Sequence, residues 1–203
     1  MQEQAVINIL QQQLKFTDQS IDKLKMFETE LLKANRKHNF IAKSTEGFIW
    51  SRHILDSAQL VKYIDFNKGS LSDLGSGAGF PGLILAIYNQ NFNFHVKLYE
   101  KSPVKKEFLH QMIVKLKIKA TLFPNVFDER IESDYIISRA FKKLDKIIQV
   151  SREIAKKPHK LLILKGQNAQ DEAIKAFKSY KYSYKLEKSM TDEKSKILIA
   201  DIF

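Results

Sequence analysis

Residues Asp73-Leu-Gly-Ser-Gly-Ala-Gly-Phe-Pro-Gly82 place glycines at 75, 77, 79 and 82. The loop joins a short strand-like stretch ending at Leu74 to the apolar run Leu83-Ile-Leu-Ala-Ile87. Glycines this dense let a backbone pass close to a ligand without interference from Cβ atoms. Between a strand and a helix, such a loop commonly holds a nucleotide-like cofactor. The spacing selects among cofactors. A dinucleotide fingerprint starting at Gly75 needs glycine at 80, where Phe80 stands, and no Lys follows Gly82 as a phosphate loop requires. The pattern is G-x-G-x-G, which suits S-adenosylmethionine, whose adenosyl and methionine parts carry no phosphate. Gly75, Gly77 and Gly79 are therefore the expected cofactor cradle, with Phe80 inside the same loop. The segment Phe94-His-Val-Lys-Leu-Tyr-Glu100 reads as the next strand, ending in an acid. A carboxylate there can accept both ribose hydroxyl protons, which assigns Glu100 to the cofactor. The bland alternative is a tight turn beside a surface glutamate.

A second group of polar side chains is more scattered. Arg139 and Lys165 fall at the expected ends of two parallel strands, and in open α/β sheets ligands bind beyond those ends. They are the candidates for holding cofactor or substrate; the alternative is a surface ion pair with Glu100 or Asp145. His53 and Asp56 lie three apart and share a helix face. They lie over the cofactor cleft or form a buried polar pair fastening the N-terminal helices to the sheet. Asn39 is either a loop anchor or a substrate contact. Trp50 reads as core and Phe80 as a pocket wall, although either ring could stack on a base. No Ser-His-Asp or Cys nucleophile arrangement is evident, and no His, Asp or Glu spacing suggests a metal.

The elements that must position these groups follow from periodicity. Val6, Ile9, Leu10 and Leu14 recur at helical spacing. Thr17 or Ser20 can cap a second helix carrying Ile21, Leu24, Phe27, Leu31 and Leu32. A third helix is expected over Phe48 to Tyr63. From residue 70 strands near 70–74, 94–100, 120–123, 134–138 and 160–165 alternate with helices near 82–88, 103–117, 143–155 and 168–178. That alternation predicts a parallel sheet with right-handed crossovers. Tyr180–Leu186 and Lys196–Phe203 read as a terminal antiparallel pair. The expected fold is α/β, a Rossmann-like class I S-adenosylmethionine-dependent methyltransferase core at 67–203 behind a helical extension at 1–66, the two forming one structural unit.

Composition bounds the partners. The 203 residues are 44% hydrophobic, enough for one full core. No run of about 20 apolar residues exists to span a membrane. The N-terminus has neither the basic nor the apolar region of a secretory signal, and cysteine is absent. A cytoplasmic monomer is expected. The net charge of +11 is either a solvated lysine surface or an attraction for a polyanion, most simply nucleic acid. The basic residues are dispersed, which favours phosphate-backbone attraction over base reading.

Four motifs stand in order: Arg52-His-Ile-Leu-Asp-Ser57, the glycine loop, Ile137-Ser-Arg-Ala-Phe141 and Leu164-Lys-Gly-Gln167. Over residues 35 to 200 this succession resembles the bacterial small-subunit rRNA methyltransferase G family, also called glucose-inhibited division protein B. The resemblance implies methyl transfer from S-adenosylmethionine to N7 of one guanine in 16S rRNA, in the free RNA, the small ribosomal subunit or its assembly intermediate. It also implies cofactor contacts at Gly75, Phe80 and Arg139, with Val126 and Phe127 flanking the adenine. This chain departs from the family pattern in three places. Asn125-Val-Phe-Asp-Glu129 stands where the family has a Val-Glu-type pair, so Asp128 could take the acidic role. Asn39-Phe-Ile-Ala42 replaces Asn-Leu-Thr. Lys194 replaces an arginine and loses its planar fork. Competing readings keep the cofactor but change the acceptor to another RNA, a small molecule or a protein, or make the chain a non-catalytic RNA-binding assembly factor. An NAD-dependent oxidoreductase is disfavoured by Phe80.

Overall fold

The computed structural model describes residues 1–203 except Glu129, Phe141, Ser179 and Lys181. Phe141, the last residue of the Ser-Arg-Ala-Phe motif, and Glu129 thus lie outside the described residues. Helices α1 (Glu3–Gln12) and α2 (Asp18–Asn35) open the chain. Thr17 caps α2, its hydroxyl accepting the Ser20 backbone N–H at 3.1 Å, which satisfies one of the free donors at a helix start. The next segment is less regular than a single α-helix over Phe48 to Tyr63. It runs as 3-10 turns (Lys43–Phe48), π-helical turns (Trp50–Leu55), one α-helical turn α3 (Asp56–Ala58) and 3-10 turns (Gln59–Tyr63). Such changes of winding occur frequently at functional sites. Here the irregular stretch carries Arg52, His53 and Asp56.

The sheet follows: β1 (Gly69–Leu74), β2 (Phe94–Tyr99), β3 (Ala120–Phe123), β4 (Tyr135–Arg139), β5 (His159–Lys165), β6 (Tyr184–Lys188) and β7 (Lys196–Ile202). Helices α4 (Gly82–Tyr88), α5 (Pro103–Lys115), α6 (Leu144–Ile154) and α7 (Ala169–Phe177) lie between them. Strand order is β3-β2-β1-β4-β5-β7-β6. The first five strands are parallel, and β7 runs antiparallel to both β5 and β6. One terminal strand is displaced from expectation: β6 spans Tyr184–Lys188, not Tyr180–Leu186. Tyr180 and Tyr182 instead stack on each other, with the Arg152 guanidinium 5.1 and 5.7 Å from their ring centres.

The two faces of the sheet feed two apolar clusters. Leu162 and Leu164 of β5 enter one; Leu161 and Ile163 enter the other, as the two-residue period of a strand requires. Ile137 and Ile136 divide in the same way. The first cluster joins Leu10, Phe27, Leu31 and Ile54 of the N-terminal helices to Leu71, Val96, Leu83 and Leu109. The second joins Leu74 and Leu198 to Ile147 and Ile148 of α6 and Ala173 of α7. The extension therefore lies on one face of the sheet and brings residues 49–60 beside the ends of β1 and β4. Between those strands the chain order reverses, which is where open α/β sheets leave a crevice for ligands.

Candidate active site

The glycine loop is built almost wholly from backbone. Gly75, Gly77 and Gly79 have φ of 77°, 58° and 103°, a region that side chains with a Cβ avoid. The N–H groups of Gly75 and Ser76 both donate to Tyr99 O at 2.9 Å, tying the loop to the end of β2. Glu100 follows immediately. Its Oε2 accepts the Gly77 N–H at 2.9 Å and its Oε1 the Ser102 N–H at 2.8 Å. Only 8% of Glu100 is exposed, and two backbone donors fix its direction. Gly82 lets α4 press against β1: a Cβ there would lie 2.5 Å from Asp73 Oδ2 and from Leu98 Cδ2. The Gly82 N–H donates to the same Asp73 oxygen at 3.0 Å.

Asp73 stands inside the glycine motif, yet its spacing alone assigns it no role. It is fully buried, and its Oδ1 has no hydrogen-bond partner among the described residues. Burial pushes its carboxyl up to about 7, against the opposing pull of the Ser76 side chain, the Gly82 N–H and the Arg139 charge. An unmatched buried acceptor costs free energy unless a ligand or water completes it. The Cβ-free turns of the loop and the oriented Glu100 together fit a nucleoside cofactor bearing hydroxyl groups.

Across the crevice the site is built from side chains. Arg139 ends β4 in register with Leu164 of β5. Its Nη2 donates to His53 Nδ1 at 3.0 Å. Its Nη1 donates to Arg52 O at 3.3 Å and reaches Asp56 Oδ2 at 3.5 Å. Its Cζ lies 4.9 Å from the centre of the Phe80 ring, within cation–π range. The His53 ring stacks on the same Phe80 at 5.0 Å, and Phe80 meets Phe27 edge-on at 5.4 Å. Phe80 thus joins the glycine loop to Arg139, and it is buried within the first apolar cluster.

Hydrogen-bond directions in this cluster follow from donor chemistry. A guanidinium only donates, so His53 Nδ1 accepts and the ring proton sits on Nε2. That proton goes to Thr45 Oγ1 at 2.9 Å, and the Thr45 hydroxyl donates to Ala42 O at 2.7 Å. Burial, then the charges of Arg139 and Arg52, push His53 down to about 4, in keeping with the neutral form. Asp56 Oδ1 accepts from Gln59 Nε2 at 3.0 Å and from the Thr191 hydroxyl at 3.2 Å. Burial raises the Asp56 carboxyl, and Arg139 opposes that rise. Gln59 is fully buried. Its Oε1 accepts the Met190 N–H at 2.8 Å and its Nε2 donates to Ser189 Oγ at 3.1 Å. The link between β6 and β7 is thereby fastened to the Arg139 cluster.

His53 and Asp56 fasten the helical extension to the sheet, one of the two readings weighed for them, and they do so by gripping Arg139. The ion-pair partners expected of Arg139 and Lys165 are different ones in the structure. Arg139 faces Asp56, and Lys165 Nζ pairs with Glu172 Oε2 of α7 at 2.6 Å. Neither Glu100 nor Asp145 takes part, because Glu100 is held by backbone donors and Asp145 stands at the start of α6. Arg139, Lys165, Asp56 and Glu172 line one cleft of about 420 Å³. Ala140, next to Arg139, takes φ of 53°, a strained value for a residue with a Cβ and one that clusters at functional sites. Val126 is buried in the second apolar cluster, so Phe127, 53% exposed, is the outward member of that pair. Asp128 is occupied by Asn125, whose Nδ2 donates to its Oδ1 at 2.9 Å. Trp50 is core, its Nε1–H donating to Glu28 at 2.8 Å. Asn39 and Lys194 are exposed. Thr45, Gln59, Ser189 and Thr191 could not be picked out from the sequence, because no local spacing links partners up to 135 residues apart.

Comparison with known proteins agrees with this geometry. The family model described as rRNA small subunit methyltransferase G matches residues 20–199. A ribosomal RNA small subunit methyltransferase G from Rickettsia felis is 37% identical over 180 residues, covering 88% of this chain and 91% of its own. The protein of that name from Pelagibacter ubique is 34% identical over 179 residues, covering 85% and 84%. Among solved structures, a magnesium protoporphyrin IX methyltransferase from Synechocystis PCC 6803, determined with bound S-adenosylmethionine, superposes with a TM-score of 0.63. The identity there is 15%, over 92% of this chain and 98% of that one, which shows a shared class I methyltransferase fold. With the ordered motifs, the Arg139 cluster and matches over nearly the whole length, this chain belongs to the small-subunit rRNA methyltransferase G family.

Proposed function

We propose that this chain transfers the methyl group of S-adenosylmethionine to N7 of a guanine in 16S rRNA. The observation that carries the proposal is the meeting of Arg139 with Phe80 of the glycine loop at the strand-order switch. Gly75, Gly77, Gly79 and Phe80 form the cofactor cradle, Glu100 receives the ribose hydroxyls, and Val126 and Phe127 border the adenine. When bound, S-adenosylmethionine supplies an electrophilic methyl group on a sulfonium. Guanine N7 carries a lone pair and no proton, so the chain needs no general base. What the protein contributes is positioning and electrostatics. Arg139, held by His53 and Asp56, presents a rigid cation at the edge of the cleft, and Lys165 presents a second. Either can donate to guanine O6 while N7 stays free, O6 being an acceptor that Arg and Lys commonly read. The target guanine must leave its stack to enter, which favours a looped or opened RNA.

The helical extension and the sheet act as one unit in this reading, because the extension supplies His53 and Asp56. A cytoplasmic monomer is the simplest form; among the described residues, no helix is long and apolar enough to cross a membrane. The test is transfer of tritiated methyl to 16S rRNA and to small ribosomal subunits, followed by mapping of the modified base. Label at one guanine N7 is expected. Label on carbon or ribose would overturn the N7 assignment, and no transfer to either substrate would overturn the proposal.

A further inference from the structure

A second cleft, of about 480 Å³, opens where the end of α2 meets the start of α5. Arg36, Lys37, His38, Lys43 and Lys105 line it, and no acidic side chain does. Among the described residues, none of Arg36, Lys37, Lys43 and Lys105 is in a salt bridge. Lysines elsewhere on the surface do have carboxylate partners: Lys33 and Lys115 share Glu30, Lys157 faces Asp134, and Lys185 faces Glu187. The cations of the cleft are thus concentrated and, among the described residues, without a carboxylate in salt-bridge contact.

The loop that carries them is fixed from beneath. Asn35, the last residue of α2, is buried and uses both ends of its amide. Its Oδ1 accepts the N–H groups of Phe40 and Ile41 at 2.8 and 2.9 Å. Its Nδ2 donates to Ile41 O at 3.2 Å and to Glu46 Oε1 at 2.6 Å. Phe40 packs on Phe108 of α5 at 4.7 Å. Arg36, Lys37 and His38 therefore project from a preformed turn, which lowers the ordering cost of binding.

The cleft also touches the proposed cofactor site. Ser102 lines it, and the Ser102 N–H is one of the two donors that orient Glu100. Resting on the rRNA methyl transfer proposed for this chain, we propose that this cleft holds sugar-phosphate backbone of the rRNA beside the target guanine. Clustered cations around a polar, preshaped groove favour a polyanionic strand, and phosphate contacts set register without reading sequence.

The test uses the full chain and 16S rRNA. A variant combining Arg36→Gln, Lys37→Gln, Lys43→Gln and Lys105→Gln is compared with a control combining Lys23→Gln, Lys25→Gln, Lys178→Gln and Lys188→Gln. Each variant gives up four charges, and circular dichroism checks the fold. Every phosphate left without its cation makes the slope of log affinity against log salt shallower by about 0.7 for single-stranded RNA. For the cleft variant we expect a slope shallower by about 2 to 3 and an rRNA KM raised at least about tenfold. Its kcat and S-adenosylmethionine Kd stay at the wild-type values, and the control keeps the wild-type slope. A cleft variant with wild-type slope and KM, or a control that weakens as much, overturns the assignment of this cleft. A wild-type protein that transfers no methyl to 16S rRNA removes instead the reading on which the assignment rests.

Discussion

The two sides of the crevice hold their polar groups by different means. On the β1–β2 side the means is backbone: glycines at positive φ, N–H groups donating to Tyr99 O and Glu100, and α4 drawn in against Asp73. On the β4–β5 side it is side chains: Arg139 rests on His53, Asp56 and Phe80, and Lys165 on Glu172. A backbone cradle tolerates changes of side chain but not of backbone conformation. A side-chain cluster has the opposite sensitivity, since removing one member leaves a buried neighbour unmatched. Under the proposed function, the contrast divides the labour: an invariant cofactor meets backbone and a particular nucleobase meets side chains.

The sharpest way to break the contrast is at Gly75. Gly75→Val forces a β-branched residue to φ of 77° and should abolish S-adenosylmethionine binding in calorimetry; retained affinity would mean that the loop is not the cradle. Arg139→Ala comes next. It should lower methyl transfer by about a hundredfold or more, the scale of losing an oriented electrostatic donor, while circular dichroism shows the fold retained. Wild-type activity would remove Arg139 from the site.

Two further predictions concern proton linkage and packing. His53 is held near 4 in the fold against an ordinary 6.5, so between those values the unfolded chain binds a proton that the native one refuses. Stability supplied by neutral His53 is complete above about pH 6.5 and declines as pH falls towards 4. Asp73, raised to about 7 from 3.8, acts with the opposite sign, because between those values the native state keeps the proton. His53→Gln should therefore flatten the acid side of the stability profile in denaturant titrations at pH 4.5 to 7, whereas Asp73→Asn should steepen it. An unchanged profile in His53→Gln would mean that His53 is not the neutral partner of Arg139. The smallest effect is expected at Trp50→Phe, which removes one hydrogen bond to Glu28. About 1 kcal/mol of stability should go, with cofactor affinity unchanged.

Most of the sheet was legible because its cues are local. Apolar alternation, the Thr17 cap and the glycine loop each act within a few residues, and β1 to β5 fall within a residue or two of expectation. The positive-φ turns of the glycine loop could be read because the required φ values are a property of the loop itself. The irregular winding over 43–63 was not legible, because the 3.6-residue apolar pattern continues through it. Tyr180 and Tyr182 misled through their strand propensity, since Arg152 draws their rings to the face of α6. The partners of Arg139 were named as candidates without being joined to it. Their meeting depends on a contact 86 residues apart in the chain, which spacing alone cannot encode.

The position of β7 bears on the order in which the molecule can be assembled. It follows every other strand in the chain yet sits between β5 and β6 in the sheet. During synthesis the five parallel strands can pair first, and the flank of β5 then waits as an open edge, a template for unwanted association. The segment just before β7 also carries Ser189, Met190 and Thr191, which lock onto Gln59 and Asp56. A growing chain would thus gain its glycine loop early and its complete arginine cluster only when that hairpin is made.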